Sequence, residues 1–306
     1  MDGMGRRVVF FAYGGPEVLR LIEEEPPEPG VGEIRVRVRA AGVNPVDCKI
    51  RSGAFAAPGD TFPQSLGNEF AGVVDAVGPG VASPSVGDEV LGFTVAAAYA
   101  DHVVVPAGHV TAKPAGLPWE VAGALSAVGQ TAHHAVRELG VAPGETLLVH
   151  AAAGGVGTVA VQLARDLGAR VIGTARPRNH GYLRELGAIP VAYGPGLAER
   201  VRAIAPEGVD AALDAVGGEA ITVSLALVRD RRRIGTLVDD EAAAVHGIRR
   251  LRGARSAGTL AELAARCASG ALRLPVTRRY PLAAAADAHR EMETGHVRGK
   301  IVLTLE

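Results

Sequence analysis

Gly154, Gly155 and Gly157 follow directly on the apolar run Leu147, Leu148 and Val149, and Val156, Val159, Ala160, Leu163, Ala164 and Leu167 then recur at helical spacing. A tight turn without side chains, set between a buried strand and a helix, lets backbone come close to a pyrophosphate. The unpaired N–H groups of the helix's first turn favour its negative charge. The turn reads Ala151-x-x-Gly154-x-x-Gly157, with alanine where the commonest fingerprint has its first glycine. A glycine triplet alone carries little weight, but between two strands and a helix of this length it reads as a dinucleotide-binding βαβ unit. The amides of Gly154, Gly155, Val156 and Gly157 are expected to face the pyrophosphate. On the helix that follows, Gln162, Arg165 and Asp166 are expected to stay wet.

The end of the next strand selects the nucleotide. An NAD site places Asp or Glu about 20 residues past the glycines, to bond the ribose hydroxyls. Here the positions are Thr174, Ala175 and Arg176, followed by Arg178. With no carboxylate available and guanidinium groups able to pair with a 2′-phosphate, the expected cofactor is NADPH, with Ala175 and Arg176 beside it. The alternative is that these arginines only solvate a strand end.

The elements that must position these residues fall into two patterns. Up to about residue 120 the chain reads as short strands. Ile34, Val36, Val38 and Ala40 alternate with Arg35, Arg37 and Arg39, and similar runs cover Phe70 to Ala76, Glu89 to Phe93 and His102 to Val105, separated by Gly- and Pro-bearing turns. From Trp119 onward helices alternate with strands at Thr146–Ala151, Val171–Ala175, Pro190–Tyr193, Ala211–Ala215 and Arg233–Val238, which implies a doubly wound parallel sheet. The segment from Gly299 to Leu305 is again a strand and is free to return to the first domain. The fold class is therefore α/β: a Rossmann sheet plus a mostly β, barrel-like domain.

Composition sets bounds. With 306 residues and 48% hydrophobic content the chain can bury two cores. A formal charge of −1 and a pI near 6.8 argue against nucleic-acid or membrane-surface binding. The sequence shows no signal-peptide pattern and no run of about 18 apolar residues, so a cytoplasmic location is expected. Cys48 and Cys267 cannot build a disulfide framework or a four-cysteine zinc lobe and read as small hydrophobes; the histidines are scattered, and no metal is expected.

Taken in order, Gly42-Val43-Asn44-Pro45-Val46-Asp47, Leu66-Gly67-Asn68-Glu69-Phe70-Ala71-Gly72, Val86-Gly87-Asp88-Glu89-Val90, Ala151 to Gly157 and Gly299-Lys300-Ile301-Val302-Leu303 resemble the medium-chain dehydrogenase/reductase superfamily. Within it the chain is similar to the zinc-free quinone oxidoreductase, or zeta-crystallin-like, branch. The resemblance implies a GroES-like catalytic domain from both chain ends, residues 1–121 and 271–306, around a Rossmann domain at 122–270. It implies that zinc-using relatives carry cysteine at Asn44 and histidine at Asn68. An amide is a poor zinc ligand. It also implies that Asn44 and Thr131 lie near the nicotinamide, that Tyr193 lies against the 2′-phosphate ribose, and that Ala215, Val216 and Leu237, just past strand ends, line the cofactor cleft. For Tyr193 a simple aromatic cap on the strand end is the alternative.

Without a Lewis acid, reduction suits an acceptor that is already electron-poor, so the expected substrate is a quinone or conjugated carbonyl. The alternatives are an enoyl or enone reductase of secondary metabolism and a non-catalytic NADPH-binding protein. Several relatives have Tyr where this chain has Lys49; Lys49 and Tyr99 are the candidate proton donors, with solvent as the third source. The stretch from His246 to Arg252 reads as the last strand of the parallel sheet, an edge that a twin would protect, so a homodimer is expected.

Overall fold

The computed structural model of the chain describes residues 4–306. These divide into two compact units, Met1–Ala127 with Arg255–Glu306, and Val128–Ala254.

The first unit opens with β1 (Gly5–Phe10), β2 (Arg20–Glu24), β3 (Glu33–Val43), α1 (Pro45–Ser52), β4 (Gln64–Ser65), β5 (Glu69–Val77), β6 (Glu89–Phe93), β7 (His102–Pro106) and β8 (Val110–Ala112), and includes the start of α2 (Trp119–Glu138). The alternation read in β3 is realised: Ile34, Val36 and Val38 enter the core while Arg37 faces water. Arg35 is drawn under cover by ion pairs to Asp75 at 2.9 Å and Glu28 at 3.1 Å. Proline at the first position and Gly53 in the left-handed region (φ 84°) bound α1.

The second unit carries β9 (Thr146–Val149), α3 (Gly155–Asp166), β10 (Arg170–Thr174), α4 (His180–Glu185), β11 (Ile189–Val191), α5 (Leu197–Ile204), β12 (Ala211–Asp214), α6 (Glu219–Leu227), β13 (Ile234–Thr236), α7 (Asp240–His246) and β14 (Arg249–Arg250). Its sheet is parallel throughout, in the order β11-β10-β9-β12-β13-β14. The winding reverses between β9 and β12, the switch point at which such sheets hold ligands outside their carboxyl ends. Leu148, Ile172 and Ile234 are sealed in its core, each burial contributing about 2 kcal/mol. The last strand is much shorter than the sequence suggests and, among the described residues, pairs only with β13.

The chain then returns to the first unit through α8 (Ala257–Ala268), β15 (Val276–Pro281), α9 (Ala285–Glu293) and β16 (Lys300–Thr304). β16 pairs antiparallel with β3, Ile301 opposite Val43 and Leu303 opposite Ala41, so the two ends of the sequence share one sheet of seven strands. A three-stranded sheet, β2-β1-β4, completes the mostly β unit, whose core gathers Phe10, Ile34, Val36, Phe70, Ile301 and Leu303.

Three sequence expectations need correction. The unit boundary expected at 270/271 falls earlier, because α8 packs on β8 and Arg255 donates to Asn68 O and Thr94 O at 2.9 and 3.0 Å. The first boundary falls inside α2, after Ala127, rather than at 121/122. Helix–strand alternation in a sequence does not say which sheet a helix will cover. Gln162, expected to stay wet, is 2% exposed: its side chain turns back along α3 and donates to Thr158 O at 2.9 Å.

Candidate functional site

The second unit concentrates its candidate residues at one edge. Ala151 to Gly157 follow β9, Ala175 and Arg176 follow β10, Tyr193 follows β11, Ala215 and Val216 follow β12, and Leu237 follows β13. All five strands run parallel, so these are the carboxyl ends of neighbouring strands.

The glycine turn is built by exclusion of side chains. A Cβ on Gly157 would stand 2.5 Å from Ala151 O and 2.6 Å from Ala152 Cα, so only glycine lets α3 settle on the turn. Ala151 takes a positive φ of 53°, the strained conformation for which the commoner fingerprint supplies glycine. It is held there by Thr174, whose Oγ1 accepts from Ala151 N at 3.2 Å and whose carbonyl accepts from Ala152 N at 3.0 Å. Gly154 caps α3, and the amides of Gly155, Val156 and Gly157 have no helical carbonyl four residues back. These half-open donors and the helix dipole suit a pyrophosphate.

At the end of β10, Arg176 Nε donates to Tyr193 OH at 2.7 Å, on the outer surface of the unit. Among the described residues no carboxylate pairs with Arg176, and Tyr193 is 51% exposed. A half-exposed cation braced by a phenol, with no carboxylate to receive ribose hydroxyls, has the chemistry for a 2′-phosphate. The residues present thus fit NADPH.

Sequence reading missed the group that shapes the loop after β12. Asp214 is sealed from solvent; its carboxylate accepts from Val216 N at 2.9 Å, Gly217 N at 2.9 Å and Thr236 Oγ1 at 2.7 Å. Thr236 Oγ1 in turn accepts from Val238 N at 3.2 Å, and Leu237 N donates to Asp214 O at 2.9 Å. Val216 is thereby left 61% exposed at the rim. A signal was available, since an Asp ending an apolar strand before Gly217-Gly218 marks a side-chain-bonded turn. Behind this loop His150 Nε2 and Ser224 Oγ share a hydrogen bond at 3.0 Å; burial holds the ring's pKa down to about 4, against the pull of Asp214. Thr131 sits half-buried on α2.

The first unit holds a buried polar cluster around Asn44. Asp47, with no solvent exposure, accepts from Asn44 N at 2.8 Å, Asn68 Nδ2 at 2.7 Å, Gly67 N at 3.3 Å and Tyr99 OH at 3.3 Å. Burial raises its pKa to about 6, despite the bonds from Asn44 and Asn68 and the charge of Lys300. The Asn44 amide donates to Glu69 Oε1 at 2.9 Å and accepts from Lys300 Nζ at 2.6 Å.

The two proton-donor candidates part company here. Tyr99 is a core residue with 0% exposure, its hydroxyl placed between Asp47 and His289 (3.4 Å), and burial drives its pKa well above the usual phenol value. Sealed in this way it cannot reach a substrate, and the expectation that it serves as an acid is corrected. Lys49 is exposed on α1, at the rim of a surface cavity of about 220 Å³ that it shares with Cys48, Ser52 and Glu293. Cys48 is buried, and desolvation pushes its thiol up to about 12, which makes it a small hydrophobe rather than a nucleophile.

Comparison with known proteins decides the family. The alcohol dehydrogenase GroES-like domain model matches residues 30–115, and the zinc-binding dehydrogenase model matches residues 186–303. A quinone oxidoreductase of Pseudomonas aeruginosa is 35% identical, over 98% of this chain and 99% of that protein. The chain belongs to the medium-chain dehydrogenase/reductase family, in its quinone oxidoreductase branch. The structure of Escherichia coli quinone oxidoreductase complexed with NADPH has a TM-score of 0.88 at 30% identity, covering 98% of this chain and all of that one. The chain is also similar, at 36% identity over 91% of its length, to a segment making up 8% of the pikromycin polyketide synthase component PikAII of Streptomyces venezuelae.

In this medium-chain dehydrogenase/reductase the two positions at which the family resemblance implies zinc ligands are engaged elsewhere, Asn44 with Glu69 and Lys300, Asn68 with Asp47. Among the described residues, no group of three or more His, Cys, Asp or Glu side chains is placed to share a metal ion. No helix of the described residues is long and apolar enough to cross a membrane.

Proposed function

We propose that this protein reduces a quinone or a similarly electron-poor conjugated carbonyl with NADPH, without a catalytic zinc. The observation that carries the reading is the open edge of the parallel sheet: a glycine turn closed to side chains beside an arginine and a tyrosine, with no acidic residue to favour NADH. When bound, NADPH supplies the hydride equivalent from its nicotinamide C4.

The protein's own part is to bind, orient and exclude. Gly154, Gly155, Val156 and Gly157 present amides to the pyrophosphate, Arg176 and Tyr193 take the 2′-phosphate beside Ala175, and Ala215, Val216 and Leu237 line the nucleotide's path. The family resemblance assigns Asn44 and Thr131 to the nicotinamide end. Zinc independence is supported by the donor set, since amides replace the sulfur and imidazole that zinc prefers. The developing oxygen anion of the product is met by hydrogen bonds, and Lys49 assists its protonation from a solvated position.

The experiment is an oxidation panel with NADPH and NADH against 1,4-benzoquinone, 9,10-phenanthrenequinone, 2-alkenals and crotonyl thioesters, with and without chelator. Turnover of quinones with NADPH and indifference to chelator are expected. Chelator-sensitive alcohol oxidation, or failure to bind NADPH, sinks the reading. Likeness to a segment of a polyketide synthase component favours a second acceptor class, conjugated thioesters; faster turnover of these than of quinones would install it. Binding without turnover of any acceptor would leave a nucleotide-binding protein.

The same reading includes a homodimer in the cytoplasm. Its support is the edge strand β14, which pairs on one side only and would gain from a twin. Sedimentation showing only monomers at micromolar concentration would remove the dimer.

A further inference from the structure

Glu69 at the start of β5 and Lys300 at the start of β16 are both sealed from solvent. Glu69 Oε1 accepts from Lys300 Nζ at 2.8 Å and from Asn44 Nδ2 at 2.9 Å, while Oε2 accepts from the backbone amide of Ala127 at 2.6 Å. Lys300 Nζ donates also to Asn44 Oδ1 at 2.6 Å and Val43 O at 3.1 Å, which uses its three donors.

This arrangement fixes two things. An amide side chain can sit either way round, exchanging donor for acceptor. Lys300 offers only donors and Glu69 only acceptors, so one orientation of Asn44 makes both bonds and the flipped one faces like with like. The second is the register of α2. Ala127 lies in mid-helix, and its N–H is taken by Glu69. One turn earlier Gly123 lies so close to β3 that a Cβ would stand 2.5 Å from Ala40 O. The helix is thus tied at successive turns, and Thr131 is four residues further along it. Buried ion pairs stabilise less than apolar groups of the same size, so their best-attested use is to specify one geometry.

We infer that Glu69 and Lys300 are positioning residues, which orient the Asn44 amide and set α2 ahead of Thr131, the two groups assigned to the nicotinamide. The kinetic consequence rests on the NADPH reading; the geometry does not.

Two measurements test it. In cofactor-free protein, amide hydrogen exchange followed by NMR should show the Ala127 N–H protected, and Glu69→Gln should lose about a hundredfold of that protection, because a carboxamide must turn a donor toward either Ala127 or the Asn44–Lys300 pair. In turnover, Glu69→Gln should lose about a hundredfold in kcat. Its NADPH Kd should stay within about threefold, since the phosphate contacts are untouched, and the isotope effect from C4-deuterated NADPH should rise. Lys300→Arg, which keeps the donors, should retain most activity. Lys300→Met leaves a buried carboxylate unpaired and is expected to fold poorly; the double variant Glu69→Gln with Lys300→Met removes both charges and should recover Tm but neither kcat nor Ala127 protection. Wild-type exchange at Ala127 with wild-type kcat in Glu69→Gln overturns the inference, as does recovery of kcat together with Tm in the double variant. If the wild-type protein binds no NADPH, the functional reading fails, and the exchange data alone still decide the geometry.

Discussion

The strand ends of the parallel sheet and the polar cluster beside β3 treat their hydrogen bonds in opposite ways. At the strand ends, donors are left open: the amides of Gly155, Val156 and Gly157 have no helical carbonyl to bond, and Arg176 has a phenol for a partner instead of a carboxylate. In the cluster, Asn44 keeps 5% exposure, while Asp47, Glu69 and Lys300, the side chains that bond it, are sealed from solvent. A site for a large anion must arrive unpaired, whereas a site that aims one amide is better when every neighbour is already engaged. Substitutions should therefore act on affinity in the first region and on geometry or stability in the second.

The largest expected effect would break the open region outright. Gly157→Val places a branched side chain where even a Cβ meets Ala151 O at 2.5 Å, so α3 must lift off the turn. A stability loss of about 3 kcal/mol is expected, and NADPH affinity should fall by at least about a hundredfold, equivalent to roughly 3 kcal/mol. Thermal unfolding and NADPH titration check both. Unchanged affinity would mean that the turn is not the phosphate site.

Acid should separate the two regions next. In the second unit His150 is held neutral, its pKa lowered by burial to about 4, so its stabilisation is complete above the ordinary 6.5 and is lost as pH falls toward 4. In the first unit His289, lowered to about 3 by burial and by Arg51, changes the same way. Asp47 there opposes it: raised to about 6, it favours the folded state fully below 3.8 and loses that contribution as pH rises through 6. At about 1.4 kcal/mol per pH unit for each group, the second unit should lose about 2–3 kcal/mol between pH 7 and 4.5, while the first stays nearly level below pH 6. Urea unfolding at pH 7, 6 and 5 can follow Trp119 for the first unit and circular dichroism for both. Parallel losses in the two signals would break the contrast.

The same difference explains what was legible in the sequence. The open region is local: Ala151 to Gly157 is one turn, and the residues past each strand end follow directly from the alternation of strands and helices. Arg176 could be placed because it stands at a fixed distance from the glycines. The cluster is assembled from afar, with Glu69 lying 25 residues from Asn44 and Lys300 lying 256. No periodicity links such positions, so Glu69 and Lys300 passed as parts of motifs and Tyr99 as an available phenol. Gln162 is hidden from the sequence for a related reason, since a polar residue on an apolar helix reveals its own backbone bond only once the helix is packed. The reach of the mostly β unit into α8 was likewise beyond the alternation pattern, because a helix carries no mark of the sheet it covers.

A smaller effect sharpens the affinity side. Arg176→Ala removes the cation expected at the 2′-phosphate, a charge-assisted contact of about 2 kcal/mol, and should raise KM for NADPH by roughly thirtyfold. KM for NADH should hardly move, so the ratio of the two is the measurement. Equal loss for both nucleotides would assign Arg176 to general folding of the strand end.

The smallest effect concerns Lys49, which belongs to neither arrangement. It is exposed, so water has the same access to its surroundings as the ammonium does. A proton source that solvent can replace contributes little, and Lys49→Met should lower kcat by no more than about threefold, roughly 0.6 kcal/mol on the barrier. The loss should appear at high pH, where water is the poorer acid, and vanish toward pH 6. A pH–rate profile for the variant against a quinone measures this. A drop of a hundredfold or more at all pH values would instead make Lys49 an obligatory acid, and would require its side chain to leave the solvent during turnover, a third kind of region in which a group open at rest is closed in use.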